Sequence, residues 1–405
     1  MKSFVILPQK PELRDATYIR RCTVERYTDH KLESSDELWF EIEKKVNQLD
    51  DSDCDSDCDS YVLAVIMDAM QEQREVHVKG EVSRTLLGNI EEFQSAWNKW
   101  LPELYHIVDI KVDVVNSDPV LPRNQAICAF SGGVDATFSV WRHHKKLAGY
   151  RSQNIRLSAL VHGFDIPLND NEAFENAFKR SESTLSDVDI PLVAIKTNYR
   201  LWSKVNWEHA FSTALVATLS NMKREADICI VGSSEPYDSL VIPWGSSPIT
   251  DHLLSSSSFT VIHDGASHSR TEKVDEIANW QKGIDNLRVC WQGDLKDRNC
   301  GVCEKCLRTK LNFLATGNGI PKSLPGSDIH KALRGIVLKN DAVKEEWKQV
   351  LEHAKKNDIN QSWVSEIPAI LKRTDKTLAQ RVFPEGSKRK AVAKSFIRRL
   401  KGQPQ

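Results

Sequence analysis

At 405 residues the chain has room for two domains and a sizeable core. Its 40% hydrophobic and 27% charged residues are those of an ordinary globular protein, and no apolar run approaches the ~20 residues that cross a bilayer, so no membrane partner is expected. A formal net charge of -1 provides no global field for nucleic acid or an anionic surface, so nucleic acid is not an expected partner either.

The start, Met1-Lys2-Ser3-Phe4-Val5-Ile6-Leu7-Pro8, has too short an apolar stretch for a secretory signal and reads as a first strand. A cytoplasmic protein with reduced cysteines is the expectation. Residues 38–42 read as strand. The acidic, repetitive stretch 50–60, DDSDCDSDCDS, reads as a solvated loop, with metal binding by Cys54 and Cys58 a minor alternative. Beyond it, 61–70 reads as a buried helix, 74–82 and 107–115 as half-exposed strands, and 86–104 as a helix carrying Phe93, Trp97 and Trp100. Residues 1–118 are thus expected to form a small α+β domain, closed by a linker at Asp118-Pro119-Val120-Leu121-Pro122.

From Asn124 onward the rhythm changes. Strand-length apolar runs at 126–130, 157–162, 192–195, 228–231, 259–262 and 287–291 alternate with helical stretches at 134–147, 171–185, 207–222 and 270–281. That alternation predicts an α/β fold, a five- to six-stranded parallel sheet with helices on both faces, over residues 119–316. Ligands of such sheets bind at the carboxyl ends of the strands. Residues 317–405 read as a helical C-terminal extension ending in a basic tail, 386–401, that is either a solvated face or a contact for phosphates or an acidic partner.

The first strand of this region runs directly into Ser131-Gly132-Gly133-Val134-Asp135-Ala136-Thr137, and a helix follows. Two adjacent glycines let backbone N–H groups converge on one point, and the helix N-terminus adds its positive end, so the segment is a candidate phosphate cradle. Ser131 and Thr137 can add hydroxyl donors. Asp135 would repel phosphate unless a cation such as Mg²⁺ lay between them. A Gly-Gly turn with an Asp near the helix start is the plain structural alternative. No GxxxxGK[ST] occurs, which excludes a Walker-type nucleotide site.

Strand, SGGVDAT and helix in unbroken order resemble the phosphate loop of the PP-loop ATP pyrophosphatases, whose usual pattern is SGGxDS. Ser131, Gly132, Gly133 and Asp135 match it, and Ala136 stands where that family commonly has Ser. The resemblance implies that ATP is split to AMP and pyrophosphate on an adenine nucleotide alpha hydrolase-like (HUP-like) fold.

The nine cysteines are unevenly placed and odd in number, which argues against a disulfide framework. Cys290, Cys300, Cys303 and Cys306 form a cluster with CxxC spacing, and Gly301 permits a tight turn within it. Four thiolates can close a tetrahedral Zn²⁺ site with a structural task; an iron–sulfur cluster and redox chemistry are the alternatives. An SGGxD loop with a distal Cys-Gly-x-Cys-x-x-Cys-x-x-Arg, here Cys300 to Arg308, resembles the 7-cyano-7-deazaguanine synthases, the QueC family. The likeness covers roughly residues 124–316. The additional N- and C-terminal parts make the chain similar to the enlarged, QatC-type components of bacterial anti-phage systems.

Further candidates lie at the carboxyl ends of the expected strands. His162, Gly163 and Asp165 end the second, where an adenosine could lie, or where a plain turn could stand. Gly232 ends the fourth and leads towards Pro243-Trp244-Gly245-Ser246-Ser247-Pro248, where Trp244 offers a stacking surface or is core. His263-Asp264-Gly265 closes the next, followed by Arg270 and Lys273, cations suited to phosphate or leaving pyrophosphate.

The resemblance implies a ligase using ATP, Mg²⁺ and Zn²⁺. It would adenylate a small-molecule carboxylate, 7-carboxy-7-deazaguanine or similar, and pass the acyl group to an amine acceptor, ammonia or an amino group on a protein partner in a defence system. Asp135, Ser131, Arg270 and Lys273 are the catalytic candidates. Ser131, Gly132, Gly133, Val134, Asp135, Thr137, His162, Gly163, Asp165 and Gly232 are the nucleotide-binding ones. A tRNA-modifying PP-loop enzyme and a non-catalytic ATP-binding scaffold, the latter suggested by Ala136, are the other readings. Position 2 is Lys2, not the Cys nucleophile of glutamine-dependent amidases of the asparagine synthetase type, so that activity is not expected.

Overall fold

The computed structural model describes residues 2–43, 57–117, 122–290, 295–326 and 328–373. Residues 50–56 of the acidic stretch with Cys54, positions 118–121 of the linker, Trp291 and the basic tail lie outside the described residues.

The strands are β1 (Lys2–Pro8), β2 (Glu12–Arg14), β3 (Thr17–Thr28), β4 (Lys31–Glu43), β5 (Glu75–Ser83), β6 (Ile110–Asn116), β7 (Ala126–Ala129), β8 (Ile155–His162), β9 (Leu192–Thr197), β10 (Ile228–Gly232) and β11 (Thr260–Asp264). The helices are α1 (Asp59–Glu72), α2 (Arg84–Trp100), α3 (Val134–His144), α4 (Asn171–Leu185), α5 (Tyr199–Trp202), α6 (Trp207–Leu219), α7 (Arg270–Ala278), α8 (Gln281–Asp285), α9 (Glu304–Ala315), α10 (Ile329–Arg334), α11 (Asp341–Lys356) and α12 (Ser362–Leu371).

The eleven strands among the described residues join one mixed sheet, in the order β11-β10-β7-β8-β9-β4-β3-β1-β5-β6, with β2 on β3. The five strands β7 to β11 pair in parallel, and their order reverses between β7 and β10. Such a reversal splays the following loops apart and leaves a crevice at the carboxyl ends. The sheet is therefore larger and less uniform than the five- to six-stranded parallel one expected.

Two differences have clear causes. The boundary expected near residue 118 does not divide the sheet, because β4 pairs antiparallel with β9 through Phe40 and Thr197, Glu41 and Lys196, and Ile42 and Ile195. The Asn198 amide extends the seam, donating to Glu37 O (2.7 Å) and accepting from Trp39 N (3.0 Å). Strand β9 would otherwise be an exposed edge, and β4 covers it. The sixth parallel strand, expected at 287–291, does not form over Leu287–Cys290. Its N–H groups bond elsewhere: Arg288 N to Gly132 O (2.7 Å), and Val289 N and Cys290 N to Asn299 Oδ1 (2.8 and 3.0 Å).

Helix α1 is buried from Asp59 to Met70, as an all-round apolar sequence requires, and packs against α6. The end of the acidic stretch is not a solvated loop: Cys58, Asp59 and Ser60 are buried at the start of α1. Asp57 there is compensated by Lys223 Nζ (2.7 Å) and Arg20. Helix α2 begins at Ser83, whose hydroxyl accepts from Leu86 N, and buries the face Leu86, Ile90, Phe93 and Trp97. The main core runs across the seam, from Phe4, Phe40 and Tyr61 to Leu157, Val193 and Ala214. Helices α9 to α12 enclose a smaller core around Trp347, Leu311 and Ile367. No helix among the described residues is long and apolar enough to cross a membrane.

Candidate functional site

A cleft of about 180 Å³ opens at the reversal point between β7 and β10. That volume is below the ~300–1,000 Å³ of sites that enclose a whole drug-sized ligand, and suits a phosphate-sized group. Its lining includes Ser131, Gly133, Val134, Asp135, Ala136, Asp165, Gly232, Arg270, Arg288, Cys290 and Lys305.

The floor is the glycine loop. Gly132 has φ +74°, a left-handed conformation that glycine adopts without strain. Gly133 sits at the N-cap of α3 in extended conformation and carries no capping side chain, so the first N–H groups of the helix face outward. Ser131 Oγ is 3.4 Å from Gly133 N. Gly232 of β10 admits this turn, since a Cβ there would lie 3.2 Å from the Asp135 carbonyl.

Asp135, in the first turn of α3, is held by two cations of α7: Arg270 Nη2 (2.7 Å) and Lys273 Nζ (3.3 Å). Burial raises its carboxyl, but Arg270 and then Lys273 outweigh that, and the net effect lies below the usual range. Asp135 is therefore ionised at neutral pH. Lys273 is fully buried and also donates to Ser233 O (2.5 Å) and Oγ (2.8 Å). Helix α7 is fixed in turn by a capping box between Ser269 and Glu272.

A second wall comes from segment 287–290 and α9. Arg288 donates Nε to Ser131 O (3.1 Å) and Nη1 to Lys296 O (3.1 Å), with Asp165 3.9 Å from Nη2. It ties the glycine loop to the cysteine segment. Lys305 projects from the first turn of α9, half-buried; burial, then Arg270, pulls its ammonium down to about 8. Behind the wall, Glu346 of α11 pairs with Arg270 Nε (2.9 Å) and with Arg308, while Glu304 takes Arg308 Nε (2.7 Å) and Trp347 Nε1 (2.7 Å). The C-terminal helices therefore support the cleft's cations.

The four cysteines converge beside the same wall. Their Sγ atoms lie within 4.8 Å of one another, with Cys290 3.6 Å from Cys300 and 3.7 Å from Cys303, and Cys300 4.0 Å from Cys306. Sulfurs each ~2.3 Å from one tetrahedral ion stand ~3.8 Å apart, and disulfide sulfurs ~2.05 Å apart, so the spacing fits a metal ion and excludes disulfides. The cluster could hold a metal ion with four protein ligands. Gly301 (φ +77°) makes the turn, where a Cβ would lie 2.0 Å from Pro325 O. Lys310 Nζ gathers the carbonyls of Gly301, Pro325 and Gly326 at 2.5–2.9 Å.

The remaining sequence candidates are placed differently. His162 does not line the cleft: its ring is buried, stacked on Phe174 at 4.3 Å, with Nε2 2.8 Å from Pro167 O. Gly163 (φ +106°) serves packing, with Thr197 O 2.1 Å from where a Cβ would be. Thr137 is buried one turn into α3, away from the lining. The last residue of β8 belongs to the core here because Phe174 of α4 and the Pro167 carbonyl meet its ring. Trp244 packs edge-on against Phe211 (6.2 Å), itself a lining residue.

Sequence reasoning missed Arg288, Lys305, Glu346 and the buried set around Asp251. Asp251 accepts from Ser246 Oγ (2.6 Å), Ser212 Oγ (3.0 Å) and His263 Nδ1 (2.7 Å). The closeness of Arg288 and Lys305 to the cysteines was a signal that could have found them; nothing in sequence announced Glu346. Comparisons with protein-family models, curated proteins and solved structures gave no match to this chain.

Proposed function

We propose that the chain is an ATP pyrophosphatase-type ligase. The observation that supports this most is the Asp135 carboxylate in the first turn of a helix, beneath two glycines, held between Arg270 and Lys273. A turn serving only as structure has no use for two buried cations and an ionised acid at a cleft. A polyphosphate does: open backbone N–H groups and Arg270 can take its charge, and Asp135 suits Mg²⁺, which when bound would offset the charge between carboxylate and phosphates. We assign the cysteine cluster to Zn²⁺, held by Cys290, Cys300, Cys303 and Cys306 as a structural staple, on the sulfur spacing and the four-thiolate donor set.

In the proposed reaction a carboxylate oxygen of a small acid bonds to the α-phosphorus of ATP, and the bond from that phosphorus to the bridging oxygen breaks, releasing pyrophosphate. An amine then attacks the acyl carbon, AMP leaves and the nitrogen loses a proton. This chain's residues position and neutralise charge; Ser131, Gly132 and Gly133 cradle, and Arg270 and Arg288 balance the leaving group. The sequence resemblance to the deazaguanine synthases supports 7-carboxy-7-deazaguanine as the acid, and the enlarged architecture is the support for a place in anti-phage defence.

Incubation with ATP, Mg²⁺ and 7-carboxy-7-deazaguanine should release pyrophosphate; no release by the native chain would sink the reading. A second reading, an ATP-binding scaffold, is favoured by Ala136, which lines the cleft where the resembling family offers a hydroxyl. Nucleotide binding without turnover, with acid and amine supplied, would favour it.

A further inference from the structure

The cations around the cleft are not alike. Arg270 is engaged by Asp135 and Glu346, Lys273 by Ser233 and Asp135, and Arg288 by two backbone carbonyls. Lys305 lines the same cleft, yet its ammonium makes no hydrogen bond or ion pair among the described residues. A half-buried lysine that lines the same cleft as Asp135 and is left unengaged is suited to an anion that arrives from outside.

Its position in the chain carries the second part of the argument. Lys305 lies between Cys303, the N-cap of α9, and Cys306 in the first turn. Cys290, from the opposite side of the cysteine cluster, also lines the cleft. A metal ion bound to all four sulfurs would fix the backbone on both sides of Lys305 and lock the turn to segment 287–290, whose Arg288 holds the glycine loop. Without that bond, the turn is held by the Lys310 contacts to Gly301, Pro325 and Gly326 and by the Asn299 side chain, which bonds Val289 N, Cys290 N, Leu287 O and Ser323 O.

We propose that Lys305 grips the terminal phosphates of the bound nucleotide, and the pyrophosphate they become, and that the four-cysteine metal site sets this affinity by holding the lysine over the glycine loop. The inference rests on the ATP-ligase reading and adds a ligand contact and a coupling to it. By linkage, whatever affinity the metal lends to pyrophosphate, pyrophosphate must return to the metal.

The test is titration calorimetry of the zinc-loaded full chain with inorganic pyrophosphate and Mg²⁺. Lys305→Ala should weaken binding about 10- to 100-fold, the range for one charged hydrogen bond, and Lys305→Arg should restore most of it. Lys322→Ala, at an exposed lysine paired with Asp285, should bind as the native chain does. Zinc transfer to a chromophoric chelator should slow with pyrophosphate in the native chain but not in Lys305→Ala. Equal affinity in the native chain and Lys305→Ala would overturn the contact. Equal protection of zinc in both would overturn the coupling. A native chain that binds neither pyrophosphate nor ATP would instead remove the ligase reading, and this inference with it.

Discussion

Asp135 and Arg270 stand 135 residues apart in the chain and 2.7 Å apart in the fold. Their contact joins the first turn of α3 to the first turn of α7 and sets the charge at the mouth of the cleft. Asp135→Asn keeps the shape and removes the charge. In a transition state stabilised by positioned charges, one such loss costs about 100-fold or more in rate. Pyrophosphate release should fall by that factor while the circular dichroism spectrum stays native; an unchanged rate would remove Asp135 from the reaction.

Two glycines make opposite predictions. Gly163→Ala places a Cβ at φ +106° and 2.1 Å from Thr197 O, so it should destabilise the fold by a few kcal/mol. Gly88, exposed in the second turn of α2, has nothing within 4 Å of where a Cβ would lie. Gly88→Ala should stabilise by roughly 0.8–1 kcal/mol through helix propensity alone. Urea titration of both variants checks the signs; a stable Gly163→Ala would contradict the packing of β8 on β9.

Metal content is directly measurable. We expect one zinc per chain by elemental analysis, no iron, and no visible absorbance. Because Cys290, Cys303 and Cys306 pack in the apolar cluster of Val134, Leu287, Val289 and Phe313, stripping the ion or making Cys306→Ser should lower the melting temperature by about 10 °C or more. A chain carrying iron and sulfide would reassign the site.

Asp68 predicts a pH dependence. It lies in buried α1, accepts from Ser203 Oγ (2.6 Å) and Lys204 N (2.9 Å), and burial pushes its carboxyl up to about 6. The unfolded chain releases this proton near pH ~4, whereas the native state holds it to about 6. The stability contribution is therefore full below pH ~4 and is lost as pH rises through 6, about 3 kcal/mol at most. In Asp68→Asn the amide oxygen can accept from Lys204 N while its N–H donates to Ser203 Oγ, so melting temperature should fall less between about pH 4.5 and 7 than in the native chain. Parallel curves would show that Asp68 does not carry this dependence.

The sequence by itself determined what is local. Two adjacent glycines before a helix, the periodicity of α2 and the buried face of α1 follow from steric rules and hydrophobic spacing within a few residues, and the structure shows each element near its expected place. The cysteine cluster was legible because ligand spacing in a short loop limits where the sulfurs can go. Tertiary structure decided everything that depends on partners distant in sequence. β4 covers β9 because an open edge needs hydrogen bonds; Leu287–Cys290 leaves the sheet because Gly132 O and Asn299 take its N–H groups; His162 turns into the core because Phe174 and Pro167 O meet it there. Glu346 reaches Arg270 from a helix whose own sequence shows only an amphipathic face. Charge pairing between distant segments has no period and no spacing rule, so which ions pair around the glycine loop, and that Lys305 stays unengaged among them, could be read only from the fold.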